Sequence, residues 1–353
     1  MRRARKVDAF GEADERLVLD TLEEYGAITR QHMRQYLPAA EPNSYLYELI
    51  GDYPARGGKM LRSSLCIAMA RATGATTEDA VATAVSIELM HNALLVHDDI
   101  EDASDERRGT PTLHALHGIP LAINAGDAMG LLSLRPLKDN LARLGLATGL
   151  RIFEETERMA WESAEGQALE LGWQRDNRTD VTEEDYLRMV LQKTCWLAAI
   201  HPFRVGCLIG GRGRLPLDPL IRLGFFVGAA FQIQDDVLNL QPGPGYGKEV
   251  NGDLLEGKRT LMLIHALRHA GREERARITA FLGTPRAARS PADVEWLCAL
   301  ITRTGGLAHA RAVAQGLGGA ALYEFDTYFA DIRATRDTRF MRSLLIWVLQ
   351  RTH

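Results

Sequence analysis

The chain has 353 residues, of which 46% are hydrophobic and 25% are charged, a composition typical of a globular protein with a sizeable core. Its net charge of −4, with a basic run only at residues 2–6, argues against nucleic-acid binding. Four scattered cysteines without CxxC spacing, no signal-peptide pattern and no apolar run near the roughly 18 residues of a membrane span predict a cytoplasmic protein without an integral membrane segment.

The spacing of apolar residues is helical along most of the chain, as in segments 78–96 and 152–171, and strand-like alternation is scarce. Thr76 and Thr182 each precede an Asp by three residues, in the capping-box pattern that begins a helix. Pro- and Gly-rich loops are predicted at 210–219, 241–247 and 283–291. These features predict an all-α fold, a single large helical bundle over residues 1–353 with a disordered arm at roughly 1–13.

The first segment suited to ligand binding is the GGKMLR sequence at residues 57–62. Gly57 and Gly58 allow the backbone to approach an anion closely. Lys59 and Arg62 are three positions apart, so on a helix both reach one phosphate group. The same letters occur by chance, and the segment alone does not define a site.

Acidic residues follow an apolar helical pattern at residues 98–102, which read DDIED. Asp98 and Asp102 are four positions apart and share one helix face. Carboxylates this close repel each other, and burial raises the cost of each charge. A divalent cation relieves both effects, and oxygen ligands that also share substrate phosphates suit Mg²⁺.

A second acidic cluster follows the apolar stretch 223–231 and reads Asp235, Asp236 and, three residues later, Asn239. Gln232 precedes the two aspartates by about one helical turn. A single cluster of this kind is often a solvated surface, but two clusters of one type, each after apolar residues, favour a shared metal and phosphate site.

Basic residues near both clusters favour binding of diphosphates. Arg107 and Arg108 precede a Gly-x-Pro turn, which suits a loop that carries guanidinium groups to phosphates. Lys193 interrupts an apolar helical pattern and needs an anion or solvent there. Lys248 and Lys258 each follow a glycine.

Together these segments resemble the trans-polyprenyl diphosphate synthases, the polyprenyl synthetase family. The matching motifs occur in the family's order: GGKxxR at 57–62, HDDxxD and RRGxPT within 97–112, NAGDA at 124–128, KT at 193–194, FQIQDD at 231–236 and the GK…GKRT segment at 247–260. The resemblance implies a bundle of the isoprenoid synthase type with a central active-site cavity. It also implies Mg²⁺-dependent, head-to-tail condensation of isopentenyl diphosphate with dimethylallyl, geranyl or farnesyl diphosphate.

The resemblance further implies residue roles. Three Mg²⁺ ions are expected, held by Asp98, Asp99, Asp102 and Asp235. The allylic diphosphate is assigned to Arg107, Lys193, Thr194, Gln232, Lys248 and Lys258, and isopentenyl diphosphate to Gly58, Lys59, Arg62, His91 and Arg108. Asp236 and Asn239 are expected to act directly or through water. The departing diphosphate is expected to take the proton, and the chain to form a homodimer.

Two features bear on the product and on activity. Asn239 stands where the family usually has a third Asp, a form that some geranylgeranyl-producing members share, so it does not argue against activity. Leu94 and Ala93 are small enough, four and five residues before the first Asp, to leave the tunnel open, and Met90 or Ile87 closes it deeper. This predicts a product longer than farnesyl, with geranylgeranyl diphosphate favoured, unless other helices set the tunnel.

Two alternatives remain open from the sequence. One is a class I terpene cyclase of the same fold, which would normally lack the motif carrying Lys59 and Arg62. The other is a non-catalytic partner subunit of a heteromeric synthase, which would tend to lose Asp98, Asp99 and Asp102.

Overall fold

Helices make up nearly all of the regular structure. The computed structural model describes residues 10–243 and 249–350, with side chains to residue 348. The helices are α1 Glu12–Met33, α2 Glu48–Ala55, α3 Leu61–Ala72, α4 Thr77–Glu101, α5 Leu113–His117, α6 Ile119–Leu132, α7 Leu134–Leu144, α8 Leu146–Arg175, α9 Glu183–Val190, α10 His201–Gly211, α11 Pro219–Leu240, α12 Gly252–Glu256, α13 Leu261–His269, α14 Arg272–Leu282, α15 Pro291–Arg303, α16 Gly306–Tyr328 and α17 Arg336–Gln350.

Five shorter elements complete the regular structure of the described residues. Two π-helical segments cover Asn43–Tyr47 and Leu191–Ile200, and a 3₁₀ turn covers Arg286–Ala288. The strands β1 Glu106–Arg107 and β2 Thr110–Pro111 pair antiparallel. The all-α prediction is therefore confirmed, with one small hairpin inside the predicted arginine-bearing turn.

The predicted helix starts hold in detail. The hydroxyl of Thr76 accepts from the amide of Asp79, and that of Thr182 accepts from the amide of Asp185, with both carboxylates returning the bond. These capping boxes satisfy amides that the first turn of a helix leaves without partners. Helix α1 begins at Glu12, so residues 12 and 13 belong to a helix and not to the predicted arm.

Helix α4 runs through the centre of the bundle and packs against α3, α6 and α7, while α11 packs against α16 and the second π-helix. Within the described residues α4 is long and apolar enough to cross a membrane, but 72% of its most apolar window is buried in the protein. Length and composition alone are weak evidence for a span, because a core helix meets the same test. Its acidic C-terminal end opens into a cavity.

Candidate active site

A cavity of about 530 Å³ lies between the C-terminal end of α4, α8, the second π-helix and α11. Asp98 and Asp235 both line it, so the two acidic clusters meet although they are far apart in sequence. Besides these polar groups, apolar side chains line the cavity: Leu94, Leu171, Met189, Val190, Leu197 and Phe231. The lining therefore suits a ligand that has both a charged group and an apolar chain.

Asp98 is surrounded by cations. Its Oδ1 lies 3.2 Å from Nζ of Lys193, and its Oδ2 lies 3.9 Å from the guanidinium of Arg107. Burial alone would raise the pKa of Asp98, but Lys193, Lys258 and Arg107 hold it well below its usual range. Asp98 is therefore ionised and available to a metal at neutral pH.

Asp99 is predicted to be a metal ligand, but in the structure its carboxylate is bound by other side chains. Its carboxylate accepts hydrogen bonds from Nε of Arg107, at 3.0 Å and 3.2 Å, and from the hydroxyl of Tyr53. The residue is fully buried and is not among the described residues that line the cavity. Adjacent helical residues point about 100° apart, which explains why only one of the two aspartates faces the cavity. Asp99 instead positions Arg107.

Asp102 provides a structural test of the predicted metal. Like Asp99, it is not among the described residues that line the cavity, and it is 7% exposed. Unlike those of Asp99, its carboxylate oxygens are not both occupied: Oδ2 accepts a 2.8 Å hydrogen bond from Lys258, while the buried Oδ1 makes no hydrogen bond. Burial and the carboxylates of Asp98 and Glu256 raise its pKa to about 7, although Lys258 opposes them. A buried oxygen without a donor, in a crowd of carboxylates, fits a hard divalent cation such as Mg²⁺.

In the second acidic cluster both neighbouring aspartates, Asp235 and Asp236, line the cavity. Asp236 is also held by 2.8 Å hydrogen bonds from Tyr186 and Gln232. Burial and the charge of Asp235 raise the pKa of Asp236 to about 6, against those two donors. Gln232 in turn accepts a 3.0 Å hydrogen bond from the hydroxyl of Thr194, which links the KT and FQIQDD motifs.

Asn239 uses both ends of its amide on the backbone. Its Nδ2 donates to the carbonyl of Glu249 at 3.1 Å, and its Oδ1 accepts from the amide of Asp253 at 3.1 Å. An aspartate in this position cannot make the first bond, because an ionised carboxylate only accepts. Asn239 is thus fitted to hold the turn before α12, which brings Asp253 to the cavity wall.

Two half-buried lysines supply positive charge at the cavity. Lys193 binds Glu170 as well as Asp98, and Lys258 binds Glu256 at 2.6 Å as well as Asp102. Burial alone would lower the pKa of each lysine, but the carboxylates raise both well above the usual value. Both side chains therefore stay charged. Lys248 lies outside the described residues.

Lys193 and Thr194 are carried by the π-helix Leu191–Ile200, which is wedged between α8 and α11. Glycines make this possible: a Cβ on Gly166 of α8 would lie 2.2 Å from the backbone nitrogen of Lys193, and one on Gly228 of α11 would lie 2.7 Å from Cα of Cys195. The wide π turn and the two glycines together place the KT pair at the cavity. π-Helical turns are common at functional sites.

The GGKxxR segment and the β1–β2 hairpin meet at the other side of the site. The guanidinium of Arg108 donates to the carbonyls of Tyr53 and Gly57. It packs so closely on Gly58 that a Cβ at this position would lie 2.9 Å from it. Gly58 has φ +144°, in the region that favours glycine. Arg108 itself has φ +56°, which turns its side chain onto this segment.

Arg62 and His91 both line the cavity, with Glu88 behind them. Nδ1 of His91 lies 3.6 Å from Oε2 of Glu88, and Oε1 of the same carboxylate accepts a 2.8 Å hydrogen bond from the hydroxyl of Ser63. Burial and the charge of Arg62 lower the pKa of His91 to about 4, so the imidazole is neutral at physiological pH. Nε of Arg62 is buried without a hydrogen bond, which leaves a cationic donor for an anionic ligand.

Lys59 is placed differently from Arg62. It is exposed, and its ammonium lies 5.0 Å from the ring centre of Trp347 on α17. This cation–π contact connects the first motif with the last helix.

The four predicted chain-length residues separate into two groups. Leu94 lines the cavity, and Met90 packs with it in the same apolar cluster one turn deeper. Ala93 is buried against α6, with its Cβ 3.9 Å from a Cβ position on Gly130, and Ile87 lies in a different core cluster. The structure therefore places Leu94 and Met90, and not Ala93 or Ile87, along the cavity side of α4.

The sequence alone did not single out several side chains of the site: Tyr53, Glu88, Gln167, Glu170, Tyr186 and Asp253. One signal was available for Glu170, since it continues the stripe of buried positions Met159, Ser163 and Gly166 on α8. A carboxylate in such a stripe needs a cation, and its partner is Lys193.

The fold and this site define a class: an all-α enzyme of the isoprenoid synthase type, with paired acidic clusters and buried cations around one cavity. The sequence profile named Polyprenyl synthetase matches residues 43–301. The short chain isoprenyl diphosphate synthase of Methanothermobacter thermautotrophicus is 34% identical over 268 residues, 76% of this chain and 80% of that protein. The chain belongs to the polyprenyl synthetase family and is a prenyltransferase.

Two solved structures extend the similarity to the whole fold. The geranylgeranyl pyrophosphate synthetase from Pyrococcus horikoshii superposes with a TM-score of 0.84 at 29% identity, covering 96% of this chain and all of that one. The geranylgeranyl pyrophosphate synthase from Corynebacterium glutamicum, solved with isoprenyl diphosphate and magnesium, gives 0.83 at 25% identity over 93% and 99% of the two chains. The terpene cyclase and silent-subunit alternatives are not favoured.

Proposed function

We propose that this prenyltransferase condenses isopentenyl diphosphate head to tail with allylic diphosphates in a Mg²⁺-dependent reaction, and that geranylgeranyl diphosphate is its main product. The observation that carries the proposal is the meeting of Asp98 and Asp235 with Lys193 and Lys258 at one cavity that continues into an apolar wall. Anionic ligands for a metal, cationic ligands for a diphosphate and room for a hydrocarbon chain are thus adjacent.

The allylic diphosphate fits the end of the cavity where Lys193, Lys258 and Arg107 lie. Mg²⁺ bound to Asp98, Asp102 and Asp235 would supply Lewis-acid stabilisation of the leaving diphosphate. Each lysine is now paired with a carboxylate and is held charged by it, so it can exchange that partner for a phosphate oxygen without a change of protonation.

Isopentenyl diphosphate is assigned to the neighbouring basic residues: Arg62 and the neutral His91 line the cavity, whereas Arg108 and Lys59 lie on adjoining segments and are not among the described residues that line it. Asp99 contributes through Arg107, which it fixes between the two diphosphate sites. The apolar wall excludes water from the carbon end of the allylic substrate, as a reactive carbocation requires.

The product length rests on α4. Leu94 and Met90 are one turn apart, or about 5.4 Å along the helix, and neither is aromatic, so the wall beside them leaves space beyond a farnesyl chain. The names of the two similar structures, both geranylgeranyl synthases, support the same product.

We also propose a homodimer. Helices α6 and α8 expose large apolar side chains at helical spacing: Ile119, Ile123 and Leu131 on α6, and Leu146, Leu150, Phe153 and Trp161 on α8. Apolar patches of this extent commonly mark protein interfaces, and a second copy would cover both helices. Sedimentation should show a dimer that Leu150→Glu weakens. The four cysteines are unpaired, in keeping with a cytoplasmic location.

The direct test is incubation of the purified protein with Mg²⁺, labelled isopentenyl diphosphate and, separately, dimethylallyl, geranyl or farnesyl diphosphate, with product length determined by mass. Elongation of all three to geranylgeranyl diphosphate, abolished by EDTA and in Asp235→Asn, is expected. Release of hydrocarbons without consumption of isopentenyl diphosphate would overturn the proposal in favour of a cyclase.

A further inference from the structure

Three metal-ligating side chains from three helices converge outside the cavity. They are Glu183 in the first turn of α9, His265 in α13 and His309 in α16, and one donor atom of each lies within 4.8 Å of the other two. None of the three is among the described residues that line the cavity.

Glu183 and His309 approach each other without forming a hydrogen bond. Nε2 of His309 lies 3.1 Å from Oε1 of Glu183, yet this buried nitrogen has no hydrogen-bond partner. The two atoms therefore lie side by side. Zn–N and Zn–O bonds of about 2.1 Å in a tetrahedral shell place neighbouring donor atoms about 3.4 Å apart, close to the observed separation.

His265 has the support that a ligating imidazole requires. Its Nε2 lies 3.2 Å from the backbone carbonyl of Thr304, which leaves Nδ1 for a metal. Metal-bound histidines commonly donate their second ring N–H to such a carbonyl, which fixes the ring orientation. The ring also stacks on His309 at 4.4 Å and on His269 at 4.1 Å, so binding requires the His309 ring to turn out of the stack.

We propose that Glu183, His265 and His309 form a binding site for a divalent transition metal such as Zn²⁺, separate from the Mg²⁺ ligands of the cavity. Two imidazoles and a carboxylate, with a further position for water, suit Zn²⁺, whereas the carboxylate ligands proposed at the cavity suit Mg²⁺. The ion would tie α9 to α13 and α16. Because α9 also holds Asp236 through Tyr186 and leads into the π-helix, the site would stiffen one wall of the cavity.

The site is tested by titrating Zn²⁺ into the full chain in excess Mg²⁺, which saturates the carboxylates of the cavity, and following thermal unfolding. Co²⁺ in place of Zn²⁺ reports the ligand set by its absorption spectrum. We expect one tight ion per chain and a raised unfolding temperature. Glu183→Gln, His265→Ala and His309→Ala should each weaken binding by about tenfold or more, as loss of a metal-site group does.

His269→Ala is the matched control, since His269 stacks on His265 from the same helix but is exposed and lies outside the cluster. It should bind Zn²⁺ as the wild type does. Glu183→Gln preserves side-chain volume and tests the site even if a histidine variant fails to fold. No Zn²⁺-induced shift in the wild type, or a shift that survives Glu183→Gln but disappears in Asp98→Asn, would overturn the proposal. Because the readout is binding, its failure leaves the proposed prenyl transfer untouched.

Discussion

Lys258 donates a hydrogen bond to Asp102 across 2.8 Å, although 156 positions separate the two residues in the sequence. The pair joins the end of α4 to the segment between α12 and α13. In the absence of a metal, the ammonium of Lys258 balances the charge of a carboxylate that is suited to a metal.

If Lys258 exchanges Asp102 for a phosphate oxygen of the allylic diphosphate, Lys258→Ala should lower kcat/KM for that substrate. The expected loss is about 10- to 100-fold, which corresponds to one hydrogen bond between charged groups. The KM for isopentenyl diphosphate should change little. Lys59→Ala is the matched control and should show the reverse pattern, a raised KM for isopentenyl diphosphate alone. Steady-state kinetics with each substrate varied in turn test this assignment. Equal effects of both variants on both substrates would contradict separate sites for the two diphosphates.

Asp98 and Asp99 should differ in their dependence on metal. Asp98→Asn removes a carboxylate that lines the cavity and should lower kcat by about a hundredfold or more while raising the Mg²⁺ concentration needed for half-maximal activity. Asp99→Asn loosens Arg107, so it should lower activity by about tenfold at an unchanged Mg²⁺ requirement. Tyr53→Phe should resemble Asp99→Asn in milder form. A Mg²⁺ titration in which Asp99→Asn shifts as far as Asp98→Asn would make Asp99 a direct ligand.

Restoring the third aspartate should be harmful. In Asn239→Asp the carboxylate faces the carbonyl of Glu249 without a proton to donate, which should destabilise the protein by about 1–3 kcal/mol. Activity should fall because the same turn positions Asp253. Thermal unfolding and kinetics measure the two effects, and a variant that is as stable and more active than the wild type would show that the position awaits a metal-binding carboxylate.

Product length should respond to bulk on the cavity side of α4. Leu94→Phe should shorten the product, and Met90→Phe should shorten it less, because Met90 lies one turn deeper. Met90→Leu conserves volume and serves as the control, with an unchanged product distribution. Mass analysis of products from dimethylallyl diphosphate gives the answer. An unaltered distribution in both Phe variants would place the floor of the tunnel on another helix.

The glycine contact at the π-helix is tested by two substitutions in α8. Gly166→Ala places a methyl group 2.2 Å from the backbone of Lys193 and should displace the KT pair, with a loss of about 1–3 kcal/mol of stability and most of the activity. Gly172→Ala meets no atom within 4 Å and should stabilise the helix by about 0.5–1 kcal/mol with activity retained. Unfolding and activity assays that do not separate the two variants would exclude a tight α8–π-helix contact.

The sequence by itself determined the helical class, both capping boxes, the arginine-bearing turn and the two acidic clusters. These properties depend on residues within one or two helical turns of each other, so periodicity and short motifs carry them. The motif order also sufficed to indicate the family, since it reflects which helices bear ligands.

Only the tertiary structure decided that Asp98 and not Asp99 lines the cavity, and that both Asp235 and Asp236 do. Asp98 and Asp99 are chemically identical in the sequence, and their roles separate because Arg107 and Tyr53 both form hydrogen bonds to Asp99, whereas Lys193 lies beside Asp98. Likewise the role of Glu170 depends on its hydrogen bond from Lys193, and that of Asn239 on its hydrogen bonds with the backbone of residues 249–253. Contacts between distant segments set burial and local charge, and these in turn determine what each side chain can bind.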